Sequence, residues 1–232
     1  KSSSSTPSFG QGVGIDVVSG SNHRIEGNYV GIDPVSPTLT LSGNGFAGIW
    51  VEQSATDTVI GGLRTDLSKA NFISGNDLDG IVVQGARTTI QGNYIGVGRL
   101  LSAETFPLRN LGAGIIVRYA NDTVIGATPD QPEPVYGNVI AGNNNFGIVV
   151  NGGVNTQIAG NYIGLGSNAL SQLIVSIPNA AGGIEVHSEE FPVENTNIGF
   201  PSPDLSTNDL RNFIAGNTGP GIVLRGANTT NT

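Results

Sequence analysis

The sequence predicts an all-β solenoid of about six to seven coils, each built from three short strands, stacked into three parallel sheets. Three recurring phrases carry that expectation. Gly-Ile-x-Val, with one Leu variant, places its glycine at Gly14, Gly48, Gly80, Gly114, Gly147, Gly183 and Gly221, at intervals of 34, 32, 34, 33, 36 and 38 residues. Thr-x-Ile begins at Thr58, Thr88, Thr123, Thr156 and Thr196, with His23 in the Thr position of the first coil. Asn, a bulky residue, then Ile or Val begins at Asn28, Asn71, Asn93, Asn138, Asn161 and Asn212. Periods of this size mark units that bury their apolar face only against their neighbours.

Within each phrase apolar residues fall at i and i+2, the spacing of a strand. The first strand of each coil then points two rows inward. One is Ile15, Ile49, Ile81, Ile115, Ile148, Ile184 and Ile222; its companion is Val17, Val51, Val83, Val117, Val150, Val186 and Leu224. The second strand contributes Ile25, Ile60, Ile90, Ile125, Ile158 and Ile198, and the third Val30, Ile73, Ile95, Ile140, Ile163 and Ile214. These rows are β-branched almost throughout, which suits stiff, closely stacked strands.

The corners between strands are polar. Asn28, Asn71, Asn93, Asn138, Asn161 and Asn212 share one corner, where a buried amide can bond the turn backbone and the amide one coil away. The Thr row marks another corner, where a hydroxyl can satisfy a turn carbonyl or amide. Neighbouring glycines supply conformations other residues resist. The segments 31–47, 61–70, 96–112, 126–137, 164–182 and 199–211 break the rhythm and read as loops inserted at corners, and 187–194 widens the first corner of the sixth coil. Residues 1–11 read as a polar tail or linker, and 12–232 as a single solenoid domain with an incomplete last coil. The expectation is that the protein continues past Thr232 or that units join end to end, because an open coil invites strand addition.

Charged residues are 12% of the chain and the net charge is −8, with no basic stripe, which argues against a nucleic-acid partner. Without cysteine there is neither a disulfide framework nor a thiolate metal site. Methionine is absent as well, so the reading is a processed chain or a piece of one. No apolar run reaches the roughly 18 residues of a membrane span.

The strings GNYVGIDP, GNGFAGIWV, TDTVIGG and ANFISGN resemble the right-handed parallel β-helix repeat family found in large secreted and cell-surface bacterial proteins. The resemblance covers about residues 12–230. It implies a right-handed parallel β-helix and an extracellular or cell-surface location, and it implies no single activity. The architecture carries pectate lyases, polygalacturonases, phage tailspikes, adhesins and plain surface stalks.

The chemistry of those enzymes is sparse in this chain. With only His23 and His187, a histidine metal cage is excluded. Glu185 lies on the outer face of the first sheet near His187, Glu189, Glu190 and Glu194. It is the one catalytic candidate, for an acid–base pair of the kind a glycosidase needs; the other reading is a solvated acidic loop. The polygalacturonase-like strings Asn-Thr-Asp, Gly-His-Gly, Asp-Asp and Arg-Ile-Lys are absent. Asp77 and Asp79 on one short corner are a candidate for binding calcium as a cofactor, though turn formation explains Asp there equally well. Asn121-Asp122-Thr123 and Asn228-Thr229-Thr230 match the glycosylation sequon.

Two outward rows are candidate contact surfaces. Tyr29, Phe72, Tyr94, Val139, Tyr162 and Phe213 line the outside of the third sheet, either to stack sugar rings or to sit beneath the inserted loops. Trp50, Val82, Ile116 and Val149 make an apolar strip on the first sheet, bordered by Glu52, Gln84, Arg118, Asn151 and His187. Either the apolar loop 96–112 folds over that strip or another subunit or domain does. The function expected is an extracellular structural or adhesive segment of a larger surface protein or filament, whose partners are other copies, other domains or a polysaccharide. A polysaccharide-active enzyme and a tailspike-like receptor-binding fibre are the alternatives.

Overall fold

The structure, a computed structural model, describes residues 12–33, 43–64, 66–99, 105–128, 136–168, 173–188, 191–199, 210–226 and 229–230. It is a parallel β-helix. Sheet one stacks seven strands in chain order, from Ile15–Ser21 to Ile222–Arg225. Sheet two stacks six, from Arg24–Ile25 to Asn197–Ile198, and sheet three stacks six, from Tyr29–Val30 to Phe213–Ile214. Among the described residues no helix is long and apolar enough to cross a membrane. Residues 1–11 lie outside the described residues.

The register follows the repeat. Ile49 pairs with Ile15 and Ile81, Ile115 with Ile81 and Ile148, and Ile184 with Ile148 and Ile222. The isoleucines of sheets two and three pair in the same way. The inward rows close one continuous core in which Ile49, Ile81, Ile115, Ile60, Ile90, Ile73 and Ile95 are wholly buried. Most strands of sheets two and three are only two or three residues long, so side chains at the corners must carry much of the bonding between coils.

They do so at two corners. Between sheets two and three, the amide of each asparagine donates to the carbonyl oxygen of the next: Asn28 to Asn71 (2.9 Å), Asn71 to Asn93 (2.9 Å), Asn93 to Asn138 (3.0 Å), Asn138 to Asn161 (2.9 Å) and Asn161 to Asn212 (3.0 Å). The same oxygens accept the backbone N–H of the preceding asparagine, and the remaining amide hydrogens reach strand carbonyls such as Ile25 and Ile90. Between sheets three and one runs a second ladder, Asn44, Asn76, Asn110, Asn143, Asn179 and Asn217, with links of 2.8–3.0 Å. The repeat phrases did not reveal it.

The threonine corner behaves otherwise. Thr58, Thr88, Thr123, Thr156 and Thr196 are all buried, yet only Thr88 bonds its turn, donating to the Gly85 carbonyl at 2.8 Å. Among the described residues the hydroxyls of Thr58, Thr123, Thr156 and Thr196 have no partner, so the expectation that the row's hydroxyls can satisfy turn groups holds at Thr88 alone. A buried hydroxyl without a partner gains nothing over a methyl of the same shape. Thr123→Val is therefore expected to be neutral or to stabilise by up to about 1 kcal/mol, whereas Thr88→Val should cost about 1 kcal/mol; urea midpoints of the two variants measure the contrast.

The residue before each threonine adopts a left-handed conformation: Asp57, Arg87, Asp122, Asn155 and Asn195 have φ of 53–63°, and Asn22 precedes His23 with φ 61°. This bend turns sheet one into sheet two, and it is made by non-glycine residues. Arg87 holds Asp57 through two bonds of 2.6 and 2.8 Å. Those bonds, with one from Thr56, lower the Asp57 carboxyl from 3.8 to about 2. A carboxylate with a depressed folded-state pKa stabilises above its unfolded value and loses that contribution as pH falls through the folded one. The melting-temperature gap between wild type and Asp57→Asn should accordingly be steady above about pH 4 and close as pH falls toward 2.

The insertions hold structure not foreseen in the sequence. Val97–Arg99 and Thr105–Pro107 form an antiparallel hairpin, and Leu165–Asn168 with Leu173–Ser176 forms another. A three-stranded corner sheet joins Gly153–Val154, Val193–Glu194 and Thr229–Thr230.

Candidate functional site

The outer face of sheet one brings the predicted strip together. Asp16 pairs with Trp50, Trp50 with Val82, Val82 with Ile116, Ile116 with Val149, and Val149 with Glu185. The strip is half closed. Val82 is wholly buried and Val149 is 4% exposed, while Trp50 and Ile116 are half-buried. Corner residues supply the cover: Phe46 packs on Trp50 with ring centroids 5.3 Å apart, and Ala113, Phe146 and Ala181 join Ile116 and Val149 in one cluster. The Trp50 indole N–H donates to Gln84 Oε1 at 3.1 Å, so the ring leans along the coil beyond Val82.

The described parts of the loop, 96–99 and 105–112, do not lie over this strip, and 100–104 lie outside the described residues. The loop's hairpin departs from the end of sheet three and covers that sheet, where Val97 packs with Phe72, Tyr94, Val139, Ala141 and Ile177. The aromatic row of sheet three is thus buried in its middle and open at its ends, with Tyr29 53% and Phe213 38% exposed. Its rings stack from coil to coil: Tyr29 on Phe72 at 5.1 Å, Phe72 on Tyr94 at 4.9 Å, and Tyr162 on Phe213 at 5.0 Å. Val139 interrupts the stack.

Glu185 is committed to neighbours. Its side chain lies 2.5 Å from the Arg225 guanidinium and 3.5 Å from His187 Nδ1, and it is largely covered. Glu189 and Glu190 lie outside the described residues, and Glu194 belongs to the corner sheet rather than to sheet one. At the other end of this face stand Asp16 and Glu52. Burial raises the Asp16 carboxyl; burial and then the nearby Asp16 charge raise that of Glu52.

Asp77 and Asp79 do different things. Asp77 is exposed, whereas Asp79 is buried. The Asp79 carboxylate accepts the Ala113 N–H at 2.8 Å and lies 3.6 Å from Arg118. Burial pushes its pKa up, against that hydrogen bond and the Arg118 charge. It ties one coil's corner to the next. Among the described residues, no group of three or more His, Cys, Asp or Glu converges as a metal site would require.

His23 fills its threonine position, with Nε2 3.0 Å from the Ser19 carbonyl. Of the two sequons, Thr123 is wholly buried and Asn121 uses its side-chain oxygen to accept the Val154 N–H at 3.0 Å; Asn228 lies outside the described residues.

A further pair of aromatic rings stands at a corner outside the repeat phrases. At the bend after sheet one, Tyr119 adopts φ 61° and packs edge-on against Phe191, centroids 4.4 Å apart. The rings meet over Gly152, where an added Cβ would stand 2.5 Å from Tyr119 Cδ1. Both rings are open to solvent, Tyr119 at 38% and Phe191 at 49%. Beside them the Asn195 amide donates to Asn155 (3.2 Å) and that of Asn155 to Asp122 (2.9 Å).

No family model, curated protein or solved structure matches this chain.

Proposed function

We propose that this chain is a rigid structural and adhesive rod of an extracellular surface protein or filament, acting in assembly or surface binding. The observation that carries the reading is the pair of asparagine ladders, each linking six residues from coil to coil. Fully bonded buried amides rigidify a stack and fix its register. The ion pairing of Glu185 with Arg225 supports a structural rather than catalytic role for that carboxylate. The resemblance of GNYVGIDP and its companions to surface β-helix repeats supports the extracellular setting.

Assembly with another copy or domain would use the half-open part of the sheet-one strip, Trp50 and Ile116. Val82 is too deeply buried for a charge to test the contact without unfolding the coil; Ile116→Lys is the usable variant. Sedimentation of the wild type should show association that Ile116→Lys weakens while the Asn-ladder fold persists by circular dichroism. The same protein incubated with neutral and acidic polysaccharides should release no new reducing ends and no unsaturated uronate. Cleavage that Glu185→Gln abolishes would replace the rod reading with an enzymatic one.

A further inference from the structure

We propose that the corner formed by Tyr119 and Phe191 is a binding platform for a neutral polysaccharide, an inference that rests on the adhesive reading and gives it a site. The first observation is the backbone of Tyr119. A bulky residue with φ above zero is an outlier and is strained wherever it persists. Arg118 pairs with Asn151, so the next residue of each coil is Tyr119 and Gly152, and Gly152 reaches φ 82° without that strain. The corner thus needs a left-handed residue at this position. Glycine meets the need in one coil, and a tyrosine meets it in the coil before.

The second observation is what that conformation presents. Tyr119 stands on the surface with its ring braced by Phe191, and Gly152 leaves the space in which they meet. Phe191 is braced in turn, since its carbonyl accepts the Ser188 hydroxyl at 2.9 Å. Two rings held against each other yet open to water form a prepaid apolar surface, because little side-chain freedom remains to be lost on binding.

The third observation is the surround. Asp122, Asn155 and Asn195 run along one side in the same coils, all exposed and already oriented by their mutual hydrogen bonds. On the other side lies the outward row of Arg118, Asn151 and His187. The C–H face of a pyranose ring is apolar and its rim is hydroxylated, so it matches an aromatic platform between amide and carboxylate groups. Three coils span about 10 Å at strand spacing, room for more than one ring of a chain laid along the rod. The net charge of −8 selects a neutral glycan over a polyuronate.

The test uses the whole 232-residue chain and two soluble probes, laminarin as neutral glucan and polygalacturonate as acidic glycan, at low and physiological salt. Wild type is expected to bind laminarin with at least tenfold preference. Tyr119→Gly should abolish binding, with an affinity loss of tenfold or more, while leaving the melting temperature unchanged or higher because the strained φ is relieved. Phe191→Ala should lose binding in parallel. Ile174→Ser, which trims an exposed apolar residue elsewhere, should bind as wild type does. Wild type that fails to bind laminarin, or a Tyr119→Gly protein that binds it undiminished, overturns the site. A Tyr119→Gly protein that melts lower assigns the pair to packing and overturns it equally. Laminarin binding with the substitutions silent removes the site and leaves the adhesive reading standing; cleavage of either glycan removes that reading instead.

Discussion

Asn93→Ala is expected to destabilise the fold by about 4 kcal/mol, more than its size suggests. The Asn93 side chain takes part in five hydrogen bonds. It accepts from the Asn71 amide and backbone N–H, and it donates to the Ile60, Gln91 and Asn138 oxygens. Each buried group left without a partner costs about 1–3 kcal/mol, and alanine strands at least two, the Asn71 N–H and the Asn71 amide hydrogen aimed at Asn93. Asn93→Asp keeps the shape but has no hydrogen to give, so it should fare no better. Asn28→Ala, at the first coil, is the comparison. Among the described residues nothing donates to the Asn28 side-chain oxygen, and the residue is part exposed; a loss near 1 kcal/mol is expected there. Urea unfolding of the three variants measures the gradient. Equal losses at Asn93 and Asn28 would mean that the ladder adds nothing beyond its individual contacts.

Gly126→Ala is the second large effect, again about 4 kcal/mol. Gly126 has φ 101°, and a Cβ there would sit 1.9 Å from the Ala159 carbonyl oxygen and 2.8 Å from the Asn161 amide of the next coil. Strain of about 1–3 kcal/mol at the wrong φ adds to overpacking of about 1–3 kcal/mol. Ala159 O also accepts the Ala127 N–H at 2.9 Å, so the coil cannot move aside without losing that bond. Gly199 occupies the same position after the inward isoleucine with φ 86°, but among the described residues nothing lies within 4 Å of its added Cβ. Gly199→Ala therefore isolates the strain, and the difference between the two melting shifts measures how closely successive coils approach. A Gly126→Ala protein no less stable than Gly199→Ala would contradict the packing described for this corner.

The inward rows were legible because a strand alternates its faces with period two and because stiff β-branched residues repeat at one position. The first asparagine ladder was legible for the same reason. The second left an equally regular trace: Asn44, Asn76, Asn110, Asn143, Asn179 and Asn217 each stand four residues before the glycine of Gly-Ile-x-Val. Their flanking residues vary, so no phrase announced them. That glycine column is itself explained by approach rather than dihedral angle, since a Cβ on Gly80 would lie 2.5 Å from the Gly114 carbonyl and 2.9 Å from the Asn110 amide. Apolar content made the loop 96–112 one candidate to cover an outer face. Which sheet it covers depends on the direction in which the chain leaves a corner, and composition does not encode that. Tyr119 was invisible for a related reason, because a positive φ in a tyrosine is set by the coils on either side and leaves no mark in the residue type.

The two asparagine columns point the same way. In both, each link runs from the amide of one coil to the side-chain oxygen of the later coil, so the small dipoles of the links add along the axis and polarise one another. The sheets between them contribute little net dipole, and the outer row from Asn195 through Asn155 to Asp122 runs in the opposite sense. The molecule is therefore vectorial: a donor face looks one way along the axis and an acceptor face the other. Any further coil, whatever chain it comes from, can continue the columns in one orientation only, and a coil arriving upside down would set donor against donor. Growth of such a rod carries a direction in the way an arrow does, written in amides rather than in charge.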